Sequence, residues 1–244
     1  MDYKKAIEDK KSGRVTLEGR MDADAQLVEL AKYALKDVND KNVPDSISVT
    51  LNDPAVFAAN VEAALNGASE QVIVESDDKH LDTAYIEDLV KAAFASGNAL
   101  RIRANKFPLN PVFAQYMTRR GGGAARCLFR LVGKGKDKTL ITDIVPWDRR
   151  FFYYKEGLEG FDWVAYETSR TKEVLQALYP KADIPGVDTE EAVVWDIYDK
   201  EKNYIWFNEQ EVWEQKNPYG YTPVVSQIVP MGSMLADKSS VGNQ

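Results

Sequence analysis

Apolar side chains in the first 120 residues recur mostly at three- and four-residue steps, the spacing of amphipathic helices. The earliest such stripe predicts a helix that is opened by Asp22 or Asp24. Its apolar positions are Leu27, Leu30, Ala31, Ala34, Leu35 and Val38. Residues 1–20 are more polar, and we expect them to form an N-terminal arm.

A second helix has well-marked boundaries. Residues 52–54, Asn-Asp-Pro, supply an N-cap followed by proline in the first turn, and Gly67 marks the end. We expect this helix to bury one face against the rest of the protein. That face consists of Phe57, Val61, Ala64 and Leu65.

Two further helices precede a glycine-rich joint. The third is expected to begin near Asp82 or Thr83 and to end at Gly97, and the fourth to run from Asn110 to the glycines at 121–123. The third helix is predicted to bury one apolar face. Its members are Ile86, Leu89, Val90, Ala93 and Phe94.

Beyond Gly123 the apolar period changes from about 3.6 to 2, which indicates that the chain passes from helices into a sheet. Ala125–Val132 and Thr139–Val145 are predicted to pair across a polar hairpin loop. A short helix over Thr171–Tyr179 is expected between later strands. Those strands are Phe151–Tyr154, Asp162–Glu167, Ala192–Tyr198 and Asn203–Phe207.

The order of these elements predicts an α+β fold, with a helical N-terminal half packed on a largely antiparallel β-sheet. We expect a mainly helical part over residues 21–120 and a mainly β part over 121–235 of the same domain. Residues 236–244 are small and polar and are expected to be a flexible tail.

Composition indicates a globular chain, because 44% of the 244 residues are hydrophobic and 28% are charged. No apolar run approaches the roughly 20 residues that cross a bilayer, so no membrane segment is expected. The single cysteine, Cys127, and the single histidine, His80, exclude an internal disulfide and a typical zinc site. A reducing cytoplasm fits this composition, and no cofactor or metal is predicted.

Charge is distributed unevenly along the chain. Residues 101–150 carry twelve Lys and Arg against three Asp and Glu, a net +9, whereas residues 151–216 carry seven against fifteen, a net −8. We single out six arginines as candidate subunit-interface or DNA-proximal residues. They are Arg119, Arg120, Arg126, Arg130, Arg149 and Arg150.

The basic segment 101–150 also permits a different function, a nucleic-acid-binding module. Arginines interleaved with aromatic side chains are able to form a stacking platform for single strands. The aromatic residues are densest in the acidic block, however, where phosphates are repelled, and aromatic side chains are common in strands because they pack well there. We therefore expect these aromatic side chains to pack within the protein rather than to stack on nucleic-acid bases.

Three features that could indicate a catalytic or phosphate-binding site are better explained by structural roles. Arg119–Gly123 resembles a phosphate cradle, but it lacks the Lys-Ser/Thr of a P-loop and follows a helix. His80 lies in an acidic surface loop, and Cys127 lies on the apolar face of a strand. We expect no enzyme activity, and a phosphate-handling enzyme at the glycine-rich joint remains the second alternative.

The order of segments from about Val49 to Leu235 resembles the portal proteins of tailed phages. The similar segments include "YIEDLVKAAFASGNALRIR", "GGAARCLFRLVGKGKDKTLITDIVPWDRRFFYY" and "DWVAYETSRTKEVLQALYP", followed by "VVWDIYDKEKNYIWF" and "NPYGYTPVVSQIVPMGSML". Within them, a Pro-x-Asp-Arg element comprises Pro146, Asp148 and Arg149. A later Asn-Pro-x-Gly-x-x-Pro element comprises Asn217, Pro218, Gly220 and Pro223. The resemblance covers the wing region, and the stem, clip and crown of such proteins are expected to be absent.

The resemblance implies a structural subunit without catalysis. Portal proteins form homo-oligomeric rings, usually dodecamers, at one capsid vertex, through which double-stranded DNA is packaged and ejected. The partners implied are the major capsid or scaffold protein, the terminase and DNA. The implied location is the host cytoplasm during assembly and the portal vertex of the virion afterwards.

The two charge blocks suggest a hypothesis for such a ring. A cyclic ring joins one surface to a different surface of the neighbour, so a +9 segment and a −8 segment are suited to face each other across subunits. Reversing the charges of Arg149 and Arg150 is then expected to weaken assembly in a salt-dependent way. The alternative is that both blocks are solvated faces of separate sheets.

Overall fold

The computed structural model describes residues 1–32, 35–39, 41–44, 50–68, 71–78, 80–133, 138–187 and 191–229. These residues form five helices and two antiparallel sheets, which confirms the predicted α+β class. The expected tail, 236–244, lies outside them. The helices are α1 (Tyr3–Val28), α2 (Asp53–Gly67), α3 (Thr83–Arg103), α4 (Leu109–Arg120) and α5 (Lys172–Leu178).

Eight strands are present in the described part of the chain, and a single 3-10 turn, Arg149–Phe151, lies between the second and third of them. They are β1 (Gly122–Val132), β2 (Thr139–Asp148), β3 (Phe152–Gly157), β4 (Gly160–Thr171), β5 (Glu191–Asp199), β6 (Lys202–Phe207), β7 (Gln210–Lys216) and β8 (Val224–Ile228). The small sheet has the order β2-β1-β8, and the large sheet has the order β3-β4-β5-β6-β7. Every described strand pair is antiparallel.

The large sheet buries both faces because apolar side chains point alternately to its two sides. On one face, Tyr153, Trp163 and Trp195 pack against Tyr3 and Ile7 of α1. The residues that alternate with these along the strands point to the other face, where they contact the small sheet. There, Phe152, Val164 and Tyr198 pack against Ala124, Trp147 and Val224.

The small sheet is covered on its other face by α3 and α4. Leu109 of α4 packs with Ala125 and Ile144, and the Oγ atom of Ser96 in α3 accepts a hydrogen bond of 3.2 Å from the amide of Thr142. The first half of α1, the large sheet, the small sheet, and α3 with α4 therefore pack in that order. The second half of α1 reaches α4, where the carbonyl of Met21 accepts a hydrogen bond from Arg120. Two aromatic rings reinforce the contact between the sheets, since Trp147 stacks on Tyr166 with 4.7 Å between ring centroids.

The expected polar arm over residues 1–20 is wrong, because these residues lie mostly in α1. Asp2 caps the helix by accepting a hydrogen bond from the amide of Lys5. The buried positions are spaced so that they share one side of the helix, with polar residues on the remaining surface. They are Tyr3, Ile7, Leu17 and Met21.

The helix predicted to begin at Asp22 or Asp24 is also wrong. Those residues lie in the last turns of α1, and Leu30 then adopts a left-handed conformation with φ 55°. Leu27, Leu35 and Val38 are exposed, and Ala34 lies outside the described residues. All described members of this stripe are exposed, so the regular apolar spacing here does not correspond to a packed helix face.

The predicted bounds of α2 are confirmed, and α4 ends as expected at Gly121, whose φ of 64° gives a left-handed C-cap. The predicted end of α3 is wrong, because the helix continues past Gly97 to Arg103. Gly97 has a packing role, since a Cβ atom there would lie 3.2 Å from Cδ1 of Ile144. The glycine lets α3 approach the small sheet closely.

The predicted strands are found at β1 to β6, but β7 and β8 were not expected. β7 follows β6 through Asn208 and Glu209, whose φ angles of 51° and 67° form a tight turn without the usual glycine. β8 pairs with β1, which lies about 100 residues earlier. Such distant pairing leaves no local signal in the sequence.

Gly97 provides a test of the packing between α3 and the small sheet. Gly97→Leu is expected to lower the free energy of unfolding by about 1–3 kcal/mol, because the added atoms overpack the contact with Ile144. Gly19→Leu in α1 is the matched control, since nothing lies within 4 Å of a Cβ atom at that position. Urea unfolding measures the free energy of unfolding of each variant. An equal change in that free energy for Gly97→Leu and Gly19→Leu would contradict close packing at Gly97.

Buried tyrosines predict a loss of stability at alkaline pH. Burial raises the pKa of Tyr198 and Tyr166 above the ordinary value of 10, and raises the pKa of Tyr179 to about 12. Their contribution to stability is therefore complete below pH 10 and is lost as the pH rises toward the folded pKa values. We expect tyrosinate absorbance and unfolding to appear together above pH 10. Full tyrosinate absorbance near pH 10 in the folded protein would contradict this burial.

Candidate functional site

Arg126 joins the two sheets. Its Nη1 atom lies 3.0 Å from Oδ2 of Asp196 in the large sheet, and its Nη2 atom lies 3.3 Å from Oδ2 of Asp143 in the small sheet. Asn203, which is almost fully buried, donates a hydrogen bond of 2.7 Å to Oδ1 of Asp196. One arginine from the basic block therefore binds a carboxylate from the acidic block within the same chain.

The pKa shifts at this contact have opposing causes. Burial raises the pKa of Asp196, and the nearby Arg126 and Asn203 offset only part of that rise. Burial also acts to lower the pKa of Arg126, but Asp196, Asp143 and the neighbouring tyrosines together outweigh burial and raise this pKa. Removal of Arg126 would leave the charge of Asp196 uncompensated, and removal of Asp196 would leave Arg126 with only Asp143 as a carboxylate partner among the described residues.

Arg149 and Arg150 attach α1 to the sheets. Arg149 is buried, and its carbonyl oxygen accepts a hydrogen bond of 2.9 Å from Arg14 of α1. Nη1 of Arg150 lies 2.7 Å from Oε2 of Glu18, and its Nε lies 3.0 Å from Oδ1 of Asp22. The charge reversals considered above would therefore disrupt contacts inside the subunit.

Arg119 and Arg120 perform a similar structural role at the end of α4. Nε of Arg119 lies 2.7 Å from Oε1 of Glu62 and so ties α4 to α2. Arg120 lies 3.2 Å from a carboxylate oxygen of Asp148 and donates a 2.8 Å hydrogen bond to the carbonyl of Met21. These two arginines hold α1, α2, α4 and β2 together.

The glycines that follow Arg120 also contact other parts of the fold. A Cβ atom on Gly122 would lie 2.7 Å from the carbonyl oxygen of Gln227, and one on Gly123 would lie 3.2 Å from Cβ of Tyr116. The glycines therefore allow β8 and α4 to approach β1. This close packing accounts for the glycine-rich joint without a phosphate ligand.

Arg130 is the most exposed of the five candidate arginines seen in ion pairs, and its Nη2 atom lies 3.0 Å from Oδ2 of Asp143. The aromatic residues that suggested a stacking platform largely form the core, as shown by the burial of Trp147, Phe152 and Trp163. Burial raises the pKa of the Cys127 thiol. Among the described residues, no cluster of His, Cys, Asp or Glu is suited to hold a metal.

α2 exposes most of the face that the sequence predicts to be buried. Phe57 is 69% exposed, Leu65 is also exposed, and Ala58 is the buried residue of the helix. The opposite side of α2 is apolar as well, so the helix has almost no polar face. Its polar residues are Asp53, Asn60, Glu62 and Asn66, and Glu62 binds Arg119 of α4.

The predicted buried face of α3 is likewise uncovered over its first three turns. Leu89 and Phe94 are exposed, and the remaining members of that face are only partly buried. The far end of the β1–β2 hairpin repeats this arrangement, since Phe129, Leu131 and Leu140 are exposed. Three separate elements thus present apolar surface that the described part of the chain does not bury.

Sequence reasoning identified the arginines but not their partners. The contact between Arg126 and Asp196 links positions 70 residues apart, which no local pattern reveals. A weaker signal was present, because each of these charged residues occupies an inward-facing position of an otherwise apolar strand. A charge at such a position requires a buried partner.

No helix in the described ranges combines the length and the hydrophobicity needed to cross a bilayer. No protein-family model matches the chain, and no curated protein matches it significantly.

The buried ion pair predicts strong coupling between Arg126 and Asp196. Arg126→Met alone is expected to lower the free energy of unfolding by about 3–5 kcal/mol, because it leaves the carboxylate of Asp196 without a cation. The double variant Arg126→Met with Asp196→Leu is expected to cost less than the sum of the two single changes. Urea unfolding of the wild type, the two single variants and the double variant gives the four free energies of unfolding of this cycle, from which the coupling is obtained.

Arg130→Met is the matched control for that cycle, because Arg130 lies on the same strand and contacts Asp143 but is half-exposed. Its effect is expected to stay within about 1 kcal/mol. Additive losses in the double variant would show that Arg126 and Asp196 act independently and would contradict the proposed link between the sheets.

Proposed function

We propose that the chain is a structural subunit of the tailed-phage portal type, which assembles into a homo-oligomeric ring through its wing region. The order of sequence segments supports the family, and the exposed apolar surface of α2 supports assembly. In this proposal the subunit has no catalytic role. The double-stranded DNA, terminase and capsid or scaffold protein are partners of the assembled ring.

The surface of α2 is the observation that carries the proposal. A helix with almost no polar face normally lies inside a larger core, because exposed apolar area is unfavourable in water. α4 and α1 cover only the side that contains Ala58 and Glu62. A second protein surface is therefore needed to cover the side that contains Phe57.

A lipid bilayer is a poor partner for this helix. Its 15 residues extend for about 22 Å, which is less than the roughly 30 Å of a hydrocarbon core. Glu62 and Arg119 also form an ion pair on its inner side. Protein–protein association suits both the length and the composition of α2.

The arginines favour assembly over nucleic-acid binding. Five of the six candidates form ion pairs with carboxylates of the same chain, and the sixth, Arg149, is buried. Binding to phosphates depends on cations that are free to replace counterions. The arrangement observed here instead uses these cations to hold the subunit together.

Native mass spectrometry and negative-stain imaging of the full chain test the proposal. The expected result is a closed ring whose mass is a whole multiple of the subunit mass of 27.4 kDa. A monomer at every protein and salt concentration would contradict self-assembly. DNA binding by the monomer that weakens with salt would instead support the nucleic-acid-binding alternative.

Phe57→Ser is expected to weaken assembly without unfolding the subunit. Burial of a phenylalanine contributes about 1.5–3 kcal/mol, so the association constant should fall roughly 10- to 150-fold. The melting temperature of the isolated subunit should change little, because Phe57 is 69% exposed. Sedimentation velocity and thermal melts measure the two effects.

Leu158→Ser is the matched control, since Leu158 is fully exposed in the β3–β4 turn, away from α2. It should leave both the association constant and the melting temperature unchanged. Equal effects of the two substitutions on association would contradict a specific role for α2.

A further inference from the structure

We propose that the far end of the β1–β2 hairpin of one subunit docks on the first half of α3 in the next copy of the chain. We call these surfaces the hairpin tip (residues 129–132 and 138–140) and the acidic face (residues 82–94). The proposal rests on the proposed function and specifies one contact within the ring. Both surfaces expose apolar side chains, and their net charges are opposite.

The hairpin tip presents a small apolar cluster with basic neighbours. Leu131 and Leu140 are directly opposite each other in the β1–β2 ladder, and Phe129 lies two residues away on the same face. All three are exposed, with Leu131 at 66%. Lys138 is exposed and lies two residues before Leu140, so it adds positive charge beside this cluster.

This cluster continues the face of the small sheet that the helices cover. Cys127 and Ile144 lie on the same face and pack under α4 near Leu109. Burial along β1 then decreases steadily from Gly122 to Val132, as the strand extends past the helices. The apolar face therefore persists where its cover within the chain has ended.

The acidic face has the complementary composition. Tyr85 and Leu89 lie one turn apart on α3, and Tyr85 is 65% exposed. Asp82 and Asp88 flank them and are also exposed. The acidic face, residues 82–94, contains Asp82, Glu87 and Asp88 against Lys91, a net −2, whereas the hairpin tip contains Arg130 and Lys138, a net +2.

Complementary charge selects a second copy as the occupant. Each chain carries one basic apolar surface and one acidic apolar surface, which is the requirement for a head-to-tail contact that repeats around a ring. A symmetric contact of hairpin against hairpin would bring like charges together. Within the subunit, Asp88 lies 3.8 Å from Lys91 of the same helix and Arg130 pairs with Asp143 of the same sheet.

A charge swap in the full chain tests this contact. Lys138→Glu makes the hairpin tip more acidic, and Asp88→Lys makes the acidic face more basic. Each single variant is expected to weaken association about tenfold at low salt, with a smaller effect at high salt. The double variant, or an equal mixture of the two single variants, should restore association to within about threefold of the wild type.

Different results would contradict the proposed contact and the proposed function. If the wild-type chain forms rings but the single variants assemble normally, or if the double variant fails to recover, the proposed contact is wrong and assembly remains supported. A wild-type chain that stays monomeric contradicts both. Circular dichroism and thermal melts of each variant establish that the subunit remains folded.

A second variant tests the apolar part of the same contact. Leu131→Ser is expected to lower the association constant about tenfold at all salt concentrations, because its effect does not depend on charge. Leu158→Ser in the β3–β4 turn serves again as the exposed leucine control. No loss of association by Leu131→Ser, relative to that control, would overturn the docking of the hairpin tip.

Discussion

The ion pair between Arg126 and Asp196 is the constraint on which the arrangement of the two sheets depends. Arg126 lies in the central strand of the small sheet and Asp196 in the central strand of the large sheet, with Asn203 bound to the same carboxylate. A buried charge pair is costly unless both partners are aligned, so it specifies how the sheets meet. Apolar packing around Trp147 then stabilises this alignment.

The same arrangement explains how opposite charge blocks occur in one acidic chain. Much of the basic block binds carboxylates of its own subunit, including Glu18, Glu62 and Asp143. Exposed charges remain at the hairpin tip, in the first half of α3, and at the end of α3, where Arg103 and Lys106 lie. Apolar side chains are exposed at the first two of these places and along α2, and we interpret the combination as the surface of an assembly subunit.

The sequence predicted features that are determined by neighbouring residues. The start of α2 at Asp53, the C-cap at Gly121 and the strand alternation after Gly123 all have local causes. The errors concern distant partners, because α1 is held by the sheets, Gly97 by Ile144, and β8 by β1. The predicted burial of the apolar faces of α2 and α3 is wrong for the single subunit, because Phe57 and Leu89 are exposed. We propose that surfaces of other subunits cover these faces.

Hydrogen–deuterium exchange of the unmodified chain over a range of concentrations tests the central claim most directly. Amides of α2, of the first half of α3 and of the hairpin tip are expected to become more protected as concentration rises, because these surfaces become covered. Amides around Arg126 should show the same protection throughout, since that contact lies within one subunit. Exchange that is independent of concentration in all of these segments would contradict the account.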